Sequence, residues 1–254
     1  MIKKLHYVWF GQKQLPANVR QCIDSWKKYC PDWDIIQWNE DNFDVQRFRW
    51  VREALKVGKY ALAADFVRLY VLKHYGGGYL DTDVQILRNI ENVIDGAFVS
   101  GIENHNIGTN ELEGVTEDGY YIKTGKQCWS FCLQAGFMYS EPNHPFINYC
   151  MESLYKNGDK PFINLDGTIN AVVIDSLMMM ALRDKYGIIY RDTTQVLPDN
   201  IKIYVSSVFA TRRSRNKDSY MIHWFDQSWR ENDLISMRLK KFIKKYLYFL
   251  YRKL

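Results

Sequence analysis

Two carboxylates stand one residue apart at Asp81-Thr82-Asp83, directly after Gly76-Gly77-Gly78 and the pair Tyr79-Leu80. Like charges this close repel, and each needs a partner. A bound divalent cation removes that cost. Hard oxygen ligands suit Mg²⁺ or Mn²⁺, ions that in turn neutralise a diphosphate. Upstream, Asp65 and Arg68 lie three residues apart, so on a helix they share a face. That spacing serves a surface ion pair or a helix cap as well as a ligand contact. His223 follows the apolar run Tyr220-Met221-Ile222, a setting that also suits a satisfied buried histidine. An Asp-x-Asp arises by chance in many loops. What gives this one weight is its place after a strand, because open α/β sheets bind ligands at the carboxyl ends of their strands.

The elements that must position these groups follow from patterning. Residues 4–10 read as a first strand closed by Gly11, residues 16–29 as a helix opened by Pro16, and residues 33–38 as a second strand. The stretch 42–75 reads as helical with a break at Gly58. Three glycines then permit positive φ and close backbone approach before the strand that carries the carboxylates. Strands are expected at 97–101, 129–139, 187–190 and 220–225, and helices at 144–156 and 167–185. The weakly apolar segment 103–126 reads as a long loop. Strands alternating with helices predict an α/β fold with a largely parallel sheet in a single domain over 1–236.

The charge is unevenly placed. The chain of 254 residues has 34 basic and 29 acidic side chains, yet 237–254 alone holds seven Lys and Arg with no acid. The body is therefore slightly acidic, which excludes a nucleic-acid-binding surface as its main function. In the tail, Leu239, Phe242, Ile243, Tyr246, Leu247 and Leu250 recur at helical steps, with lysines on the other face. This predicts a basic amphipathic helix over 237–254, either packed on the domain or lying on an anionic inner membrane leaflet. No apolar run is long enough to span a bilayer, and the N-terminus lacks the pattern of a signal peptide. Five cysteines without a CxxC pair fit a reducing cytosol and offer no zinc site. The expected location is cytoplasmic, peripheral at the inner face of the cell membrane.

Three ordered motifs carry a resemblance. They are His6-Tyr7-Val8-Trp9-Phe10-Gly11, then Ala64-Asp65-Phe66-Val67-Arg68, then Tyr75 through Val84 with the glycines and the Asp-x-Asp. Together they resemble the DXD-containing sugar transferases of glycosyltransferase family 32, among them bacterial capsule enzymes. They are also similar to the glucosyltransferase domains of large clostridial toxins. Later echoes are Gly136-Phe137-Met138, His144-Pro145-Phe146 and His223 to Trp229. The resemblance implies a GT-A, Rossmann-like fold, a nucleotide-sugar donor, a glycan acceptor and Mn²⁺ or Mg²⁺. It implies that Val8, Trp9 and Gly11 seat the nucleotide base, and that Asp65 accepts donor-sugar hydroxyls with Arg68 near the sugar or diphosphate. Gly77 and Gly78 would let the backbone approach the donor. Asp83 would ligate the metal, Asp81 would bind hydroxyls and touch the metal, and His223 would complete the shell. Ser228 and Trp229 would hold the diphosphate. The implied chemistry is retaining transfer of a hexose, with a UDP-sugar favoured, in surface polysaccharide synthesis.

Other readings stay open on the residues themselves. Asp81-Thr82-Asp83-Val84 also fits the string of haloacid dehalogenase-type phosphatases, but that class has a longer apolar strand before it and a later acidic pair that is missing here. A toxin-like protein glycosyltransferase shares the core motifs. A non-catalytic sugar- or nucleotide-binding protein would keep the aromatics without needing Asp65, Arg68, Asp81, Asp83 and His223 together. Where family members often carry Gly-Pro, this chain has Asp166-Gly167-Thr168, a departure that bears on the acceptor side.

Overall fold

The computed structural model describes residues 1–105, 114–122, 128, 130–170 and 172–226. The expected tail helix over 237–254, and with it Ser228 and Trp229, lie outside the described residues.

Lys4–Val8 (β1) is buried at every position after the first, as a strand covered on both faces must be. Helix Ala17–Tyr29 (α1) leads to Asp34–Trp38 (β2), which pairs parallel to β1 from Lys4↔Asp34 to Val8↔Trp38. The helical stretch then divides into Arg49–Lys56 (α2) and Tyr60–Tyr75 (α3), separated at Gly58 with φ +70°. Gly77–Leu80 (β3) returns beside β1, with Leu5↔Gly78 and His6↔Tyr79 in parallel register.

The turn into β3 explains the glycines. Gly76 and Gly77 have φ of +63° and +89°, where a side chain is strained. A Cβ on Gly77 would stand 2.7 Å from the Lys4 carbonyl, and one on Gly78 2.9 Å from the Leu5 side chain. The crowding that demands glycine at both positions comes from β1. His6 locks the same turn. Burial pushes its imidazole down to about 4, so the ring is neutral. Its Nε2 donates to the Gly76 carbonyl at 2.9 Å while Nδ1 accepts from Trp38 Nε1 at 3.1 Å.

The chain continues through Val84–Ile86 (β4), Phe98–Asn104 (β5), Phe131–Leu133 (β6), Phe137–Ser140 (β7), helices Pro145–Tyr155 (α4) and Ile174–Tyr186 (α5), and then Gln195–Leu197 (β8), Ile201–Tyr204 (β9), Phe209–Thr211 (β10) and Met221–His223 (β11). The main sheet has the order β2-β1-β3-β7-β5-β9-β8, with β6 paired to β5. β1, β2, β3, β5 and β9 point the same way, and β7 and β8 run against them. The α/β, Rossmann-like class expected from the sequence is the one observed. Its carboxyl edge carries the ends of the neighbours β1 and β3 and, beyond antiparallel β7, that of β5.

Some boundaries differ from expectation. The strand read over 129–139 is two strands, parted at Gln134-Ala135-Gly136, and the helix read from 167 begins at Ile174. Residues 187–190 form no strand, whereas β8, β9 and β10 are ladders of only three or four residues.

Two buried clusters cover the sheet. One joins its face to α2, α3, α4 and α5 around Trp50 and Phe66. The other joins the opposite face to α1 and the small sheet β10-β11-β4 around Trp26. Removing a buried ring of this size costs about 3–5 kcal/mol. Trp26 also donates from Nε1 to the Val84 carbonyl at 2.7 Å, pinning the strand that leaves the carboxylate pair.

Candidate active site

The register of the small sheet makes the site. β11 runs antiparallel to β4, with His223 directly opposite Val84, so the histidine arrives beside Asp83 from the far end of the chain. Asp81, Asp83 and His223 each offer a ligand atom, and these atoms lie within 4.8 Å of one another. His223 Nε2 is 3.2 Å from Asp83 Oδ1, and Asp83 Oδ2 accepts from the Asp226 N–H at 2.8 Å. Burial disfavours a charged imidazole at His223, but the Asp83 carboxylate outweighs it and holds the ring up to about 9. Burial likewise works against the Asp83 carboxylate, and the His223 cation with the Asp226 N–H keeps it below its usual range.

Arg68 organises the other half. It projects from α3, where Asp65 shares its face, and its Nη2 lies 2.6 Å from Asp65 Oδ1 and 3.1 Å from Asp81 Oδ1. Its Nη1 donates to the Ala135 carbonyl at 2.7 Å, and its guanidinium stacks over the Tyr79 ring at 4.8 Å. Tyr79 donates its hydroxyl to Asp81 at 3.0 Å. Both terminal nitrogens of the guanidinium thus hold protein groups, Nη2 fixing two carboxylates in place, while the buried Nε has no hydrogen-bond partner among the described residues. Burial pushes the Asp65 carboxyl up; Arg68 opposes this, Asp81 and Asp175 add to it, and the group reaches about 7.

Three contributors escape a reading by motif alone. Gln134 is buried, and its Oε1 lies 3.2 Å from His223 Nδ1, so the ring donates there and presents Nε2 to the carboxylates. This is the arrangement that orients a metal-ligating histidine. Gly136 is required by the same contact, because a Cβ there would meet His223 Nδ1 at 2.9 Å and Gln134 Oε1 at 3.0 Å. Asp175, in the first turn of α5, adds a further carboxylate close enough to act on Asp65. The available signal was the Gln134-Ala135-Gly136 break, whose amide, carbonyl and missing side chain all face the site.

The residues expected to seat a base sit at the end of β1. Val8 is buried, Trp9 is half-buried with Nε1 donating to the Lys13 carbonyl at 2.7 Å, and Gly11 takes φ +92° while donating its N–H to Glu40 at 2.7 Å. A recess of about 350 Å³ opens there, lined by Trp9, Gln12, Lys13, Gln37 and Asn39 among others. It stands at the same sheet edge as the carboxylates, since β1 and β3 are parallel neighbours.

The donor set fits a divalent cation. Two carboxylates and an imidazole converge with the histidine already oriented by Gln134. Asp81 and Asp175 act on Asp65, Asp81 and Asp83 act on His223, and Arg68 and His223 are the cations facing these carboxylates. A divalent ion balances that excess.

Residues 16–99 match the family model described as the glycosyltransferase sugar-binding region containing a DXD motif. The matched span holds Asp65, Arg68, Asp81 and Asp83. An uncharacterized glycosyltransferase of Acanthamoeba polyphaga mimivirus is 26% identical over 65% of this chain and 60% of its own length. Inositol phosphoceramide mannosyltransferase 2 of Schizosaccharomyces pombe is 20% identical over 91% of this chain and 59% of its own. The chain thus spans about 60% of the length of these curated relatives. Among solved structures, the PaToxG glycosyltransferase covers 72% of this chain and 69% of its own at 18% identity, with a TM-score of 0.46. Among the described residues, no helix is long and apolar enough to cross a membrane.

Proposed function

We propose that this chain is a metal-dependent glycosyltransferase of the family 32 type, moving a hexose from a nucleoside diphosphate sugar to a glycan acceptor with retention of anomeric configuration. The observation that carries the reading is the convergence of Asp81, Asp83 and His223 beside the Arg68-held Asp65, on the edge where β1, β3 and β5 end.

In this reading Asp83 and His223 hold the ion directly and Asp81 completes the set. When bound, the ion offsets negative charge developing on the leaving diphosphate. The recess at Trp9 takes the base, and Asp65 accepts hydrogen bonds from sugar hydroxyls. Arg68 fixes Asp65 and Asp81 so that they need not reorganise as charge moves. Ser228 and Trp229 would cover the diphosphate from the segment after His223.

A UDP-sugar is the first donor to try. A mannose donor is the second reading, because two of the yeast proteins that this chain resembles bear names that describe mannosyl transfer to an inositol-containing ceramide. Those names also support a lipid-linked acceptor. The basic segment 237–254 would serve that acceptor by holding the enzyme at an anionic surface, in surface polysaccharide synthesis at the inner face of the membrane.

The experiment is a thermal-shift screen of nucleotide sugars with Mn²⁺, followed by nucleotide release without acceptor. Binding and slow hydrolysis that stop on chelation support the reading, and cleavage of simple phosphate esters instead would replace it with a phosphatase. An inverted product by NMR removes the retaining mechanism alone. Truncation after Ser236 should release the enzyme from anionic vesicles and spare donor hydrolysis, and full-length protein that ignores vesicles at low salt removes the membrane role.

A further inference from the structure

The carboxyl edge of the sheet has a third occupant that the donor site does not use. β5 is parallel to β1 and β3, so its end lies on the same edge. The order along that edge is β1 with the base recess, β3 with Asp81 and Asp83, and then, past β7, the end of β5. A donor laid from recess to metal points its sugar toward β5. There stand Glu103 and His105.

Glu103 is 4% exposed, and its Oε1 accepts from His105 Nε2 at 2.8 Å. A carboxylate can only accept, so the proton on this ring sits at Nε2 and the lone pair at Nδ1. Among the described residues Nδ1 has no hydrogen-bond partner. The His105 side chain is 42% exposed, so that lone pair is within reach of a ligand. The backbone also fixes the ring: the His105 N–H donates to the Ser130 carbonyl at 2.9 Å and Arg213 donates to the His105 carbonyl at 3.1 Å. Phe225 links the pair to the metal centre, with ring centroids 6.2 Å from His105 and 3.9 Å from His223. Glu103 is also close enough to act electrostatically on His223, and Asp175 on both His105 and Asp65.

We propose that His105, oriented by Glu103, is the base that receives the proton of the acceptor hydroxyl. This rests on the sugar-transfer reading of the neighbouring site. The bond from the anomeric carbon to the diphosphate oxygen breaks, and its electron pair leaves with the nucleoside diphosphate. The acceptor oxygen forms the new bond to the anomeric carbon on the face from which the diphosphate leaves, so configuration is retained, and its proton passes to His105 Nδ1. His105 is then a catalytic residue and Glu103 a positioning residue. The charged groups facing the ring are Glu103, Asp175 and Arg213. The hydrogen bond that His105 donates to Glu103 raises the imidazole above its usual value, burial and Arg213 lower it, and Asp175 raises it.

The test uses the full chain with Mn²⁺, the nucleotide sugar that gives the largest thermal shift, and a simple alkyl glycoside as acceptor. His105→Gln should lower kcat for transfer by about 10²–10⁴-fold, the usual contribution of a positioned base. It should leave the thermal shifts caused by Mn²⁺ and donor within error of the parent. The parent's kcat/KM for acceptor should rise with pH through a limb above pH 6.5, and the variant should lack that limb. Glu103→Gln should fold with the same donor shift and move the limb to lower pH. Parent-like kcat and an unmoved limb in His105→Gln overturn the proposal, as does a rise in acceptor KM alone, which would make His105 a binding group. If His105→Gln does not fold, the limb in Glu103→Gln decides: a limb left where the parent has it overturns the proposal. A parent with no turnover on any nucleotide sugar fails the transferase reading and this proposal together. Turnover in the parent with no effect of His105→Gln fails only this proposal.

Discussion

His223 Nε2 stands 3.2 Å from Asp83 Oδ1, although the two residues lie far apart in the chain. The pairing is set by backbone register, His223 opposite Val84, and by Gln134, which takes the other ring nitrogen. A carboxylate pair that would be an electrostatic cost as an isolated loop motif thereby becomes three sides of a cation site.

The histidine–carboxylate pair predicts a pH dependence in metal-free protein. The folded pKa of His223 is raised from 6.5 to about 9. Its contribution is therefore fully present below pH 6.5 and is lost as pH rises through about 9. That of Asp83, lowered from 3.8, is present above 3.8 and lost as pH falls. In EDTA the Tm of the parent should fall between pH 6.5 and 9 relative to that of His223→Gln. Parallel Tm profiles across that window would show that the pair does not form.

Gln134 and Gly136 should matter for metal without touching it. Loss of an outer partner of a ligating histidine typically costs 10–100-fold in metal affinity. Gln134→Leu should weaken Mn²⁺ binding by about that factor with the fold retained. Gly136→Ala should do the same and also lower Tm, because its Cβ has no room against His223 and Gln134. Calorimetric titration with Mn²⁺ reads both, and parent-like affinity in Gln134→Leu would contradict the assignment.

Arg68 carries the stability of the buried carboxylates. Deleting one partner of a buried ion pair leaves an uncompensated charge, at a cost of about 3–5 kcal/mol. Arg68→Ala should be destabilised by about that much in urea unfolding. Arg68→Lys should recover only part, because one ammonium cannot reach Asp65, Asp81 and the Ala135 carbonyl in the same fork geometry. An Arg68→Ala variant as stable as the parent would mean that Asp65 and Asp81 do not depend on it.

Local chemistry made part of this legible in the sequence. Asp81 and Asp83 announced themselves by their spacing, Asp65 and Arg68 by sharing a helix face, and the glycines by the turn they permit. Gly77 and Gly78 also need no side chain for a second reason, the close approach of β1, which the sequence does not display. Gln134, Glu103 and Asp175 were not legible. Each is an ordinary polar residue in its own segment, and its role comes from which strand ends are neighbours across the sheet. β8, β9 and β10 are not legible because three- and four-residue ladders are too short to stand out from loop sequence.

The most direct measurement is nucleotide release by parent and Asp83→Ala protein from UDP-galactose, UDP-glucose and GDP-mannose, with Mn²⁺ and with EDTA. The parent should release nucleoside diphosphate from at least one donor only when Mn²⁺ is present. Asp83→Ala should fold, by an unchanged far-ultraviolet spectrum, and release none above background. Parent-like, chelator-insensitive release by Asp83→Ala would contradict the claim that Asp81, Asp83 and His223 form a metal-dependent sugar-transfer site.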